Sequence, residues 1–86
     1  MKITEIRKLQ VVYGYDKMQN IIETGAVWHM EGSLGREAMH LLEIGACFLP
    51  RKARRGAYGQ TIPSRSMVEA GTKGTLQNTI RFYENN

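Results

Sequence analysis

The chain has 86 residues, a single cysteine (Cys47) and a net charge of +4. That length allows one small domain with a small core. One cysteine rules out an internal disulfide and suits a reducing compartment, and no run approaches the ~20 apolar residues that cross a bilayer, so no membrane partner is expected. Lys2, Glu5, Arg7 and Lys8 interrupt the first twelve residues, so no signal peptide is expected either.

From Thr4 to Tyr13 the sequence reads as a helix. Ile3, Ile6, Leu9, Val12 and Tyr13 recur at helical spacing, Thr4 is placed to cap it and Gly14 to stop it. Asp16 is a good N-cap for a second helix, which carries Met18, Ile21 and Ile22 on one face and ends at Gly25. Ala26 to Glu31 fits a short extended piece or an early helical turn, with Trp28 expected as a core plug. A third helix follows Gly32-Ser33: Leu34, Ala38, Leu41 and Leu42 make one apolar stripe up to Gly45. Pro50 then bars helix. Arg51 to Gly59 is basic and rich in small residues. Tyr58 to Pro63 reads as extended or turn-like, and Ser64 is placed to cap a short helical turn with Met67 and Val68. Gly71 to Thr75 is a loop. Leu76 to Tyr83 forms a last strand or helix, and Thr79, Ile80, Phe82 and Tyr83 favour strand. Asn85-Asn86 reads as a frayed end. The expected fold class is mainly α, in a single domain. A small three-helix core over residues 1–49 precedes an irregular, basic, extended half over 50–86 that contains a short strand or helix.

The charge is unevenly spread. Residues 1–50 hold five Lys or Arg against six acids, a net of −1, and residues 51–86 hold seven against two, a net of +5. Such asymmetry points to a polyanionic partner. Arg51, Lys52, Arg54 and Arg55, with Tyr58 beside them and Arg65 and Lys73 downstream, form the candidate polyanion-binding set. Their cations suit phosphate oxygens, and Arg and Tyr stack on bases. A solubilising basic loop accounts for the same run equally well.

Gly32, Ser33, Gly35 and Arg36 form a candidate phosphate loop, because glycines at a helix start free backbone N–H groups for an anion. The spacing matches neither the P-loop nor the dinucleotide fingerprint, and an ordinary helix cap is the simpler reading. Gly71-Thr72-Lys73-Gly74-Thr75 offers similar chemistry and describes an ordinary turn just as well. The third helix carries Glu37 and Glu43 against Arg36, so base-specific reading of a major groove is not expected.

His29, His40 and Cys47 stand eleven and seven residues apart, without the paired spacing of zinc ligands, so no metal and no cofactor are expected. Cys47 sits in the apolar run Ala46–Leu49, where burial raises a thiol pKa. No carboxylate pair stands out for acid–base work, so no catalytic residue is expected and the chain reads as non-enzymatic.

Three stretches, Trp28–Met39, Tyr58–Arg65 and Gly71–Thr75, together resemble small uncharacterised proteins of tailed bacteriophages and their prophages, over most of the chain. The resemblance implies a viral setting, the host cytoplasm or the virion, and carries over no activity and no catalytic residue. The leading expectation is a non-enzymatic accessory protein of phage type. It binds nucleic acid, or another phosphate-bearing ligand, non-specifically through its basic half. Two alternatives stand beside it. One is a structural or assembly protein of the particle, acting as a homo-oligomer or with a phage structural partner. The other is an anti-defence or host-takeover protein that binds a host protein or a nucleotide signal.

Overall fold

The computed structural model describes residues 1–85, and the chain is mainly α. Helices α1 (Ile3–Tyr13), α2 (Asp16–Thr24) and α3 (Gly32–Ile44) form the first half, with a 3₁₀ turn (Ala26–His29) between α2 and α3. Two caps differ from expectation. Lys2 is the N-cap of α1 and its backbone N–H donates to the Glu5 carboxylate at 3.1 Å, so Thr4 lies inside the first turn. Tyr15 is the N-cap of α2 and Asp16 its first residue, where the carboxylate still complements the positive end of the helix dipole. Gly14, Gly25 and Gly45 end the three helices in left-handed conformation, as expected. At Gly45 a side chain is also sterically barred: a Cβ would stand 2.8 Å from the Asn78 carbonyl oxygen and 2.9 Å from Phe82 Cβ.

The last element is a helix, α4 (Leu76–Glu84), and not the strand its residue types favour. Thr75 caps it, its hydroxyl accepting from the Asn78 N–H at 3.2 Å. Packing overrides propensity here. Leu76, Thr79, Ile80 and Tyr83 fall on one helical face, and Tyr83 joins Ile6 and Phe48 in an apolar cluster flanked by Leu9, Leu76, Ile80 and Phe82. Asn85 is the C-cap; Asn86 lies outside the described residues. Between Pro50 and Thr75 the regular structure is one antiparallel hairpin of β1 (Arg54–Arg55) and β2 (Thr61–Ile62), with Arg54 opposite Ile62 and Arg55 opposite Thr61. Ser64 to Met67 is a single turn, closed by the Met67 N–H on the Ser64 carbonyl at 3.1 Å, and does not extend into a helix.

A second apolar cluster gathers Ile22, Val27, Ala38, Leu41, Leu42, Ala46, Cys47 and Leu49. Residues 45–50 thread the interior, and all six are buried. Non-helical backbone in a core needs partners for its polar groups, and here side chains supply most of them. Gln19 grips Phe48 twice: the Phe48 N–H donates to Gln19 Oε1, and Gln19 Nε2 donates to the Phe48 carbonyl, both at 3.0 Å. Gln10 Nε2 donates to Gln19 Oε1 at 2.8 Å and to the Ala46 carbonyl at 3.1 Å. The Tyr83 hydroxyl donates to that same carbonyl at 2.7 Å, and the Thr79 hydroxyl to the Cys47 carbonyl at 3.4 Å. The Cys47 N–H donates to Leu41 at 3.1 Å and the Leu49 N–H to Gly74 at 2.9 Å.

Gln19→Ala strands both polar groups of Phe48 in the core, so urea unfolding should show a loss of about 3 kcal/mol or more. Tyr83→Phe leaves the Ala46 carbonyl bonded to Gln10 and should cost about 1 kcal/mol in the same measurement.

Candidate polyanion interface

The hairpin is clipped to the helical body at three points. Arg54 Nη2 donates to the Glu23 carbonyl at 2.7 Å while its aliphatic stem lies over Gly25. The Ala57 N–H donates to the Trp28 carbonyl at 3.2 Å. His29 Nε2 stands 2.8 Å from the Arg55 carbonyl oxygen. The connecting loop closes on itself, with the Gly56 N–H on the Gln60 carbonyl at 2.8 Å and the Tyr58 N–H on Gln60 Oε1 at 3.0 Å. These bonds hold Tyr58 at the tip, 95% exposed.

This geometry divides the cations that the sequence grouped together. Arg51 and Lys52 are exposed, and their side chains hold no partner among the described residues. Arg55 is exposed and donates to the Gly59 carbonyl at 3.1 Å. Arg54 and Arg65 instead turn inward. Arg54 Nε is buried without a partner among the described residues. Arg65 Nη1 donates to the Leu49 carbonyl at 3.2 Å, with its guanidinium carbon 5.7 Å from the centre of the Phe48 ring. Lys73 makes a long, exposed pair with Glu43 at 3.9 Å, a weak link in water. Arg51, Lys52, Arg55 and Tyr58 are thus the outward members of the set.

The two glycine-containing loops are largely occupied by their own bonds. At the start of α3 the Leu34 and Gly35 N–H groups both donate to the Glu31 carbonyl, at 3.1 and 3.4 Å, and the Arg36 guanidinium folds back over Gly32. Ser33 is exposed, and the N-cap is Glu31, whose charge opposes an anion at this end. In the loop at 71–75, the Thr72 hydroxyl donates to Glu69 at 2.5 Å and the Thr75 hydroxyl to Thr72 at 2.6 Å. Gly74 lies so close to Leu49 that a Cβ there would stand 2.5 Å from Leu49 Cδ1. This loop anchors the buried 45–50 segment.

An open groove of about 510 Å³ separates α3 from the hairpin; Gly32, Gly35 and Arg36 line one side and Gln60 and Ile62 the other. It joins two segments far apart in the sequence. Next to it, sharing Trp28, Met39 and Ile62, is an apolar cavity of about 190 Å³. Sequence reasoning missed this cavity, because turns bring Ile62 and Val68 to Met39 and no periodicity records it. Trp28, expected as a core plug, is half-buried, and its indole N–H is buried without an acceptor among the described residues.

Among the described residues no three His, Cys, Asp or Glu side chains gather into a metal-binding group, and no helix is long and apolar enough to cross a membrane. Burial pushes the Cys47 thiol up to about 12, so it keeps its proton at neutral pH. Burial, and then Cys47 nearby, raises the Tyr83 phenol well above its ordinary value.

No family model matches the chain, and no curated protein or solved structure matches it.

The inward and outward arginines separate in stability. Arg54→Ala should cost about 1–3 kcal/mol, through the lost Glu23 bond and the uncovered Gly25. Arg55→Ala should stay within about 0.5 kcal/mol of the parent, as read by thermal or urea unfolding.

Proposed function

We propose that this protein is a non-catalytic accessory protein that binds unpaired nucleic acid, without sequence preference, through the outward face of its hairpin. The supporting observation is the position of Tyr58. Its ring stands almost wholly in solvent at a loop tip, where it adds nothing to the core, and Arg51, Lys52 and Arg55 are exposed on the same arm. Cations engage phosphate oxygens, and an exposed ring takes the face of a base that is not already stacked in a duplex. In this reading residues 1–49 are a three-helix scaffold and residues 50–86 the basic half that carries the contact surface. Arg54, Arg65 and α4 serve the scaffold from within that half. The setting is the one the phage resemblance implies, the host cytoplasm during infection.

Fluorescence anisotropy with a labelled oligo-dT tests this. Three phosphate contacts at ~0.7 each predict that log K falls against log salt with a slope of about −2. Replacing Arg51, Lys52 and Arg55 with Ala should flatten the slope, and Tyr58→Ala should weaken binding by about 1–3 kcal/mol. Removing two cations at Lys8 and Lys17 instead should change affinity much less. A flat salt response, or equal sensitivity to Lys8 and Lys17, contradicts the reading.

A second reading, assembly as an oligomer of a phage particle, has one observation in its favour. Val11 and Val12 on α1 are 62% and 74% exposed, with Tyr13 next in sequence 42% exposed, and exposed apolar groups mark association surfaces when they are contiguous. Light scattering on nucleic-acid-free protein decides it: this reading predicts an oligomer that Val11→Lys with Val12→Lys dissociates, and a monomer throughout removes it.

A further inference from the structure

The apolar cavity beside the groove has a chemistry of its own. Its walls come from four separate parts of the chain: Trp28 of the 3₁₀ turn, Met39 and Leu42 of α3, Leu49 of the buried segment, and Ile62 and Val68 of the second half. At about 190 Å³ it somewhat exceeds the ~150 Å³ cavity that suffices for benzene in an engineered protein core. Trp28, Ile62 and Val68 are only half-buried and Met39 is 39% exposed, so the space opens to solvent and a ligand needs no unfolding to enter.

The lining is almost wholly apolar, and Lys73 is its one charged residue. The Lys73 side chain is 58% exposed, so its stem meets the walls while its ammonium lies in solvent at their edge. Trp28 lines the cavity as well, and its indole N–H is buried without an acceptor among the described residues. Among the described residues Lys73 is engaged only by Glu43, at 3.9 Å and in solvent, and Glu43 lines the adjoining groove and not the cavity. Apolar walls with a cation at the entrance favour one ligand class: a hydrophobic tail for the walls and a carboxylate for the ammonium. A cationic head would meet Lys73 as a like charge, and a neutral one would forgo the ion pair.

We propose that this cavity binds a small monocarboxylate with an apolar tail the size of a six-membered ring, the tail against Trp28 and Leu42 and the carboxylate on Lys73. Binding exchanges the Glu43 carboxylate for the ligand's, so Glu43 is a built-in competitor. The inference stands independently of the hairpin and its nucleic-acid reading.

The chain has one tryptophan, and it lines the cavity, so its fluorescence reports occupancy directly. The test titrates the full chain with cyclohexanecarboxylate, cyclohexylmethanol and cyclohexylamine, following Trp28 emission and the melting temperature, which a ligand of the native state raises by mass action. The carboxylate should bind most tightly and the amine least. Lys73→Ala should weaken the carboxylate about three- to fivefold more than it weakens the alcohol, and Glu43→Gln should strengthen the carboxylate by a similar factor. Both changed side chains are exposed, so neither variant should lose its fold. Val68→Phe, which fills the space, should abolish the response to all three. No response to the carboxylate at millimolar concentration overturns the proposal. So does a response equal for all three head groups, or one that Lys73→Ala leaves intact.

Discussion

The structure depends on how the protein buries a non-helical stretch of its own backbone. Residues 45–50 pass through the centre, where each unmet backbone group would cost about 1–3 kcal/mol, and a domain of this size has only about 5–15 kcal/mol to lose. The Gln19 amide solves most of the problem. By donating to the Phe48 carbonyl and accepting from its N–H, it does what the backbone of a neighbouring strand would do in a sheet. Gln10 extends the pairing to Ala46, and Tyr83 and Thr79 of α4 approach the same strip from another direction. Four polar side chains on three helices converge on one segment, so the helices are positioned by hydrogen bonds as well as by apolar contact.

That segment also anchors the less regular half of the chain. Leu49 takes the Gly74 carbonyl with its N–H and gives its own carbonyl to Arg65, while the Arg65 N–H reaches Pro50. Both arms of the 50–75 excursion are therefore tied to the core, and the hairpin between them is fixed to α2 and the 3₁₀ turn by Arg54, Ala57 and His29. In the proposed reading the basic half therefore has two roles. Arg54 and Arg65 satisfy part-buried carbonyls of the helical body and the central segment. They still contribute to the long-range positive field, while Arg51, Lys52 and Arg55 are the exposed cations of the hairpin arm among the described residues. The net of +5 read from the sequence includes two arginines whose side chains turn inward.

How much of this was legible follows from which signals are local. The three N-terminal helices were, because apolar spacing and terminal glycines are local features. The face of α1 was not. Val12 was assigned to the apolar stripe and is 74% exposed, while Gln10, a polar residue, is fully buried. A glutamine reads as solvent-facing until its partners are known, and those of Gln10 and Gln19 lie up to 36 residues away. Sequence leaves α4 open between strand and helix for the same reason: Thr79, Ile80, Phe82 and Tyr83 prefer strand in isolation, and contact with Ile6 and Phe48 decides for helix. Arg54 and Arg55 are adjacent and chemically identical. Only strand alternation and the position of Glu23 distinguish the inward one from the outward one.

The central claim is that the outward hairpin arm is the contact surface and that the buried segment behind it stays fixed. Backbone amide chemical-shift mapping by NMR, with a short single-stranded oligonucleotide at low salt, tests this most directly. The account predicts that perturbed amides concentrate in residues 51–60, Tyr58 included, while those of Cys47, Phe48 and Leu49 keep their positions. Perturbations centred on α1 and α2, or no perturbation in 51–60 at saturating oligonucleotide, would contradict it.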